Sequence, residues 1–494
     1  MAVEKGTEFS AAPERASTSE HDKEQPNGSE TRMSVDDVTL DGDENPLNWS
    51  KGKKWVSSMI VISMSMTSAF YSGVHASAID AIAEDYGCSQ LASTAGISFF
   101  LLGFAAGPLI FAPLSEMFGR NLVIRVSLLI FVITNIGCAL APNIEVLLLF
   151  RFLAGFFIAP TVTNAGGSIT DVWAPTERSV PWAIFASASY LTVIIGSIIG
   201  DFIVEYASWP WIFWVSMILG AVIYIIAILV LPETYAPVLK RRKMLRLNIG
   251  IPDEVHLSKS YYLNFTRPWI MLFTEPIVWA MTLYMSFVYG ILTLNLVAYP
   301  IVYYQIRGWS LGLSSLGYVG IAGGMLVATI LSPLLTVVHR RFVAKMGPIP
   351  EARLPLQIGL AWLIPISLFW FGWTALPPFH PAVSIVAGSL FGIGALSVFL
   401  DVYAYLTDCY GKYSASVMAA NGLMLRLFGA AFPLFANKLY EGVGVGWGTS
   451  ILGFIAVGLA PLPLLFFLYG PILRRRSKYH IEVTAAEGVK SEKS

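Results

Sequence analysis

Charged side chains that interrupt long apolar runs mark where this sequence could do chemistry. Arg151 breaks the run Leu147-Leu148-Leu149-Phe150-Arg151-Phe152-Leu153-Ala154-Gly155, and Asp201 and Glu205 close a glycine-containing run that begins at Gly196. Asp401, Tyr405 and Asp408 recur at i, i+4 and i+7, so they share one helical face. An unpaired cation in hydrocarbon costs at least ~2.5 kcal/mol, so Arg151 should face a cavity or a carboxylate. The alternative is an arginine that snorkels to water from the outer end of its segment. Asp201 lies at a depth compatible with Arg151, which predicts an Arg151–Asp201 pair with Glu205 as the alternative partner. Asp401 and Arg426 lie at roughly similar depth and form a second candidate pair. Tyr284, Phe287, Ile291 and Asn295 fall on one face of another segment, and Asn421 joins Arg426 on a third. Such an aromatic and polar set suits a cavity for flat, partly apolar molecules, or else helix packing and an interfacial belt.

The elements that hold these residues are long and apolar. Of the 494 residues, 55% are hydrophobic and only 13% charged, with a mean hydropathy of +0.64, against about 25% charged in ordinary soluble domains. Stretches able to cross about 30 Å of hydrocarbon recur near 55 to 78, 91 to 111, 121 to 141, 146 to 166, 180 to 203 and 211 to 232. After a polar interval they resume near 277 to 303, 313 to 338, 355 to 375, 381 to 408, 413 to 437 and 446 to 470. The expected fold is an all-α integral membrane bundle of twelve transmembrane helices in two six-helix halves, 51 to 232 and 277 to 470, with a site between them. Residues 1 to 50 read as a disordered tail, 233 to 276 as a central loop and 471 to 494 as a second tail.

Orientation follows from the cations. Lys51, Lys53, Lys54, Arg120, Arg178, the run Lys240 to Arg246, Arg340, Arg341, Lys345, Arg353, Lys412 and Arg474 to Arg476 fall on one side of the twelve-span alternation. That side is expected to be cytoplasmic and to hold both termini. The zero net charge excludes the basic face of a nucleic-acid binder. The scattered histidines, of which only His75 lies in a span, lack metal-ligand spacing, and the three cysteines imply no disulfide framework. The Gly442, Gly444, Gly446, Gly448 string has no following lysine and reads as a turn rather than a nucleotide loop. No nucleophile, base or metal cluster argues for an enzyme, and no cofactor is expected. The lipid bilayer is the one partner that composition demands.

Three motifs narrow the reading. Ala112-Pro113-Leu114-Ser115-Glu116-Met117-Phe118-Gly119-Arg120-Asn121 resembles the signature loop of the major facilitator superfamily, with Ala112 and Asn121 departing from it. The Arg151 segment looks like that family's second motif. Gly196-Ser197-Ile198-Ile199-Gly200-Asp201 is similar to the glycine-rich motif of its antiporter branch, with Ser197 and Asp201 replacing proline and glycine. Asn45-Pro46-Leu47-Asn48-Trp49, Pro232-Glu233-Thr234-Tyr235-Ala236-Pro237, Arg267-Pro268, Glu275-Pro276-Ile277 and Pro350-Glu351-Ala352-Arg353-Leu354 resemble, in order, loops of fungal drug:proton antiporters with twelve spans.

The resemblance implies a monomeric proton-coupled exporter of small organic compounds in a fungal plasma membrane, with a vacuolar membrane as the other location. The alternatives are proton-coupled uptake of a small metabolite, which the altered motif keeps open, and a transporter-like sensor. It assigns Glu116, Gly119 and Arg120 to a conformational latch. Arg151, Asp201, Glu205 and Asp401 become proton-coupling candidates, and Tyr284, Phe287, Asn295, Tyr405, Asn421 and Arg426 substrate-cavity candidates.

Overall fold

In hydrocarbon every backbone N–H and C=O must find a partner within the protein, and a helix does this within one segment. The computed structural model describes residues 38–174, 177–247, 257–347, 349–477 and 479. Among them the chain is helical with no strand. The first half contains α1 Lys51–Val74, α2 Gln90–Phe118, α3 Arg120–Ala139, α4 Ile144–Val172, α5 Ser179–Tyr206 and α6 Trp211–Val230. The second contains α7 Pro276–Pro300, α8 Tyr318–Met346, α9 Leu363–Thr374 and α10 Pro381–Tyr410. The helix Ser414–Leu459 is broken at Gly444, whose φ of +78° is left-handed. It therefore supplies α11 (414–443) and, with Leu462–Arg476, α12.

Ten helices among the described residues are long and apolar enough to cross a membrane, the two joined at Gly444 counting as one. Separating them and adding α1 gives the expected twelve. Helix α1 is less apolar because it carries serines, which turn inward: Ser65 donates to the Thr161 carbonyl at 3.2 Å and Ser58 accepts from Trp173 Nε1 at 2.9 Å. Starts are capped where the sequence offers small oxygens, as Ser50, Ser89 and Asn143 accept from Lys53, Ala92 and Val146 N–H.

The halves repeat one packing scheme. Helix α1 packs on α5 and α2 on α4, and α7 on α11 and α8 on α10 correspond to them. At the α2–α4 crossing Gly103 lies against the Phe152 carbonyl and Gly155 against the Phe100 carbonyl, so a side chain at either would drive the helices apart. The halves meet through α2 with α11 and α5 with α8.

We call the end where α1 begins, with the clustered cations, the basic face, and the opposite end the far face. Three of the hydrogen bonds between the halves lie toward the far face, while Tyr190 bonds Tyr403 across them nearer the middle. Ser98 donates to the Ala430 carbonyl at 2.6 Å, Asn437 Nδ2 to Gln90 Oε1 at 3.2 Å, and Ser310 Oγ to Glu205 at 3.2 Å.

The structure corrects several boundaries. Residues 38–50, expected as part of a disordered tail, form two 3-10 turns, Gly42–Glu44 and Pro46–Asn48. Trp49 is buried there and donates to the Asp43 carbonyl at 2.9 Å. Lys243, in the helix Ala236–Arg246 after α6, bonds Asp41 at 2.7 Å and Glu44 at 2.8 Å, closing the segment like a clasp. Helices α2, α4 and α8 run past their expected basic-face ends, and at α4 the charged end is held, Asp171 by Arg120. Residues 1–37, the middle of the expected central loop and most of the final tail lie outside the described residues.

Candidate functional site

The middle of the bundle is organised around Arg426 of α11. Its Nη1 donates to the Tyr289 hydroxyl of α7 at 2.7 Å, and its guanidinium lies 4.2 Å from the centre of the Phe104 ring of α2. Arg426 thus touches both halves, four residues and about 6 Å along the helix from Ala430, where the far-face seal begins. Beside it Tyr190 of α5 stacks on Phe399 of α10 at 4.0 Å, another contact between halves. Arg426 and Tyr403 keep some accessible surface. Gly422, one turn toward the basic face on Arg426's side of α11, has open space where a side chain would be. The arrangement is an aromatic chamber with a cation at its roof.

Arg151 is fully buried but does not meet Asp201. Its Nε donates to the Gly96 carbonyl at 3.0 Å and Nη1 to the Tyr71 carbonyl at 3.4 Å, while the Tyr71 and Phe100 rings face its Cζ at 4.6 and 4.9 Å. Nη2 has no partner. The expected ion pair fails because Arg151 projects from α4 toward α1 and α2, whereas Asp201 on α5 lies against Ser77, just beyond α1. Carbonyl dipoles and ring faces take the place of the carboxylate. His75 shares this cluster, with Nε2 3.0 Å from the Ser93 carbonyl.

The carboxylates divide into different environments. Asp201 is 1% exposed, is hydrogen-bonded to Ser77, and has no partner for its Oδ2 among the described residues. Glu205 accepts from Gly312 N–H and Ser310 Oγ, so it belongs to the far-face seal and not to Arg151. Asp401 makes no hydrogen bond among the described residues. The cation that acts on it is Arg353 and not Arg426.

At the basic face the signature loop is tied down by acids other than its own. Arg120 Nε donates to Asp171 of α4 at 2.6 Å, and Glu233, beyond α6, accepts from the backbone N–H of Arg120, Asn121, Thr234 and Tyr235 at 3.0–3.2 Å. Glu116, expected in this latch, is exposed and has no side-chain partner among the described residues. Gly119 has a φ of +97° and presses against the Glu233 carboxylate, so the turn needs glycine twice over. The second half has its own bracket: Arg474 Nε and Nη2 donate to Glu351 at 2.8 and 2.7 Å, and Arg353 Nε to Asp408 at 2.5 Å.

The expected cavity residues separate likewise. Phe287 packs edge-on against Phe432 at 5.9 Å, and Asn421 Nδ2 donates to Thr282 at 3.3 Å. Tyr284 is buried with its hydroxyl beside Gln357, and Asn295 is 6% exposed. Tyr405 is not at the chamber: its hydroxyl lies with Glu351 against Gly470, near the basic face. Sequence reasoning missed Tyr289, Tyr190, Phe104, Phe399 and Tyr403, which single-chain patterning cannot tell from packing aromatics.

The family model described as Major Facilitator Superfamily matches residues 61–433. The chain is 40% identical over 455 residues to the "MFS-type efflux pump MFS2" of Trichophyton rubrum, covering 89% of this chain and 76% of that protein. It is 40% identical over 448 residues to the "Major facilitator superfamily multidrug transporter mdrA" of Aspergillus fumigatus, covering 88% and 74%. With the "Citrinin biosynthesis cluster MFS transporter mrr1" of Monascus ruber it shares 37% identity, covering 93% and 96%. Among solved structures, the partially occluded inward-open xylose transporter XylE of E. coli superimposes with a TM-score of 0.60 at 16% identity, covering 85% of this chain and 98% of that one.

Proposed function

The chain belongs to the major facilitator superfamily, and from that premise we propose that it exports a small organic compound by alternating access, driven by protons moving the other way. The observation that carries the direction is its similarity, over about nine-tenths of the chain, to proteins described as efflux pumps and multidrug transporters. The basic face is read as cytoplasmic, the membrane as the fungal plasma membrane and the working unit as a monomer. With the far face sealed, the chamber at Arg426 is loaded from the cytoplasm. Rocking the halves about the chamber opens the seal and delivers the cargo outside.

Among the described residues Asp201 and Asp401 are intramembrane carboxylates with neither a hydrogen-bonded cation nor a bond across the seal, and both are read as proton carriers. Asp201 lies behind the far-face seal, and Asp401 is nearer the basic face. Glu205, bonded across the seal, is read as a gate that releases when the halves part. Arg151 holds the α1–α2–α4 crossing and keeps a fixed positive charge in the first half.

Accumulation of radiolabelled and fluorescent compounds in pump-deficient yeast, with and without the protein, tests this reading. Lower accumulation that returns to control when the proton gradient is collapsed is expected. Higher accumulation abolished by collapse would mean uptake and overturn it. Asp201→Asn is expected to lower export at least about tenfold, in line with losing one proton-transfer group.

A further inference from the structure

The charge of the cargo can be read from what surrounds Arg426. The guanidinium has five donors, and its one described hydrogen-bond partner is the neutral Tyr289 hydroxyl. The ionisable groups close enough to act on it are the phenols of Tyr190, Tyr289 and Tyr403, and no carboxylate is among them. No carboxylate lies within ion-pair distance of it among the described residues. Asp401, its expected partner, is acted on by Arg353 instead. Arg426 still keeps accessible surface, and the α11 face beside it at Gly422 borders open space. A cation at the bundle's middle without a counter-ion is costly to hold, and a ligand that brings an anion removes that cost.

The walls add shape to charge. Phe104 and Tyr289 present ring faces to the guanidinium, at 4.2 and 5.3 Å, and beside them Tyr190 stacks on Phe399. A guanidinium fork matches a planar two-oxygen anion better than any point charge.

We propose that the chamber binds flat aromatic compounds carrying a carboxylate or similar delocalised anionic oxygen group, with the anion on Arg426 and the ring system among Phe104, Tyr190 and Phe399. This rests on the export reading only in making such a compound the cargo. Binding itself depends on neither direction nor protons.

The test is equilibrium binding to the full-length purified protein, followed by fluorescence anisotropy of two dyes that share a xanthene ring system, anionic fluorescein and cationic rhodamine 6G. Fluorescein is expected to bind at least about tenfold more tightly, the scale of one charge contact in a partly wetted site. Arg426→Gln should erase the preference, and Arg426→Lys should keep part of it. Equal binding, tighter rhodamine 6G, binding of neither dye, or a preference that survives Arg426→Gln in a protein with unchanged Tm would each overturn the proposal. The two-dye comparison on the wild-type protein needs no variant, so the proposal can be overturned even where Arg426→Gln folds poorly. No gradient is used, so failure here is separate from failure of export in cells.

Discussion

At the basic face Arg120 reaches Asp171 at the end of α4, and in the second half Arg353 reaches Asp408 at the end of α10. To that extent the brackets are repeats. They differ at the last helix of each half. Beyond α6 stands an acid, Glu233, which collects four backbone N–H groups, two of them at the start of α3. In α12 stands a base, Arg474, which grips Glu351 before α9 through two parallel hydrogen bonds. The same joint is made once from backbone amides and a helix terminus, and once from a side-chain ion pair. An amide cradle is broken by side-chain substitution only at its acid, whereas an ion pair can be broken from either side.

The difference can be broken most severely at Arg474. Glu351 is 1% exposed, so Arg474→Ala strands a buried carboxylate and should cost about 3 kcal/mol or more. Replacing both residues by apolar ones should restore most of the loss, read as Tm of the purified protein. Next comes Glu233→Ala, which leaves its backbone donors unmet and should cost about 2 kcal/mol, with Glu233→Gln costing less because one acceptor oxygen remains.

The shared arginine pairs rank lower. Arg120 and Asp171 are 16% and 18% exposed and Arg353 and Asp408 31% and 39%, so Asp171→Asn should cost about 1 kcal/mol and Asp408→Asn half of that or less. A larger effect of Asp408→Asn would mean that the brackets are not repeats. The smallest effect belongs to the clasp on residues 38–49. Lys243→Ala should leave Tm unchanged and loosen hydrogen exchange in that segment alone. Hydrogen bonding to Lys243 lowers the Asp41 and Glu44 carboxyls below their usual range. The clasp is therefore complete above the ordinary carboxylate range and lost as pH falls through the lowered values, a loss that exchange measured against pH should follow.

Much of the architecture was legible because hydrocarbon thickness and charge placement act on local sequence. Span number, the two halves and the Gly442 to Gly448 turn all come from stretches shorter than thirty residues. The clasp was not, since nothing in Asp41, Asp43 and Glu44 points to Lys243 some two hundred residues later. The latch was half legible: Arg120 and Gly119 stand in a recognisable turn, but their acids come from Asp171 and Glu233, on elements that only folding brings near. Arg151 taught a similar lesson, since its need for compensation was readable while carbonyls and ring faces were chosen over Asp201 by the direction in which α4 presents it. Tyr289 escaped because it sits off the face that Tyr284, Phe287, Ile291 and Asn295 define.

Arg426 beneath the far-face seal also has an electrical side. When the seal opens and the opposite side closes, the water-filled access to this charge changes sides, so the empty carrier moves a naked positive charge through part of the membrane field. Each full elementary charge crossing 100 mV involves about 2.3 kcal/mol. A cargo that brings its own negative charge cancels the Arg426 share of that work, so membrane voltage bears on this side chain in the step made without cargo.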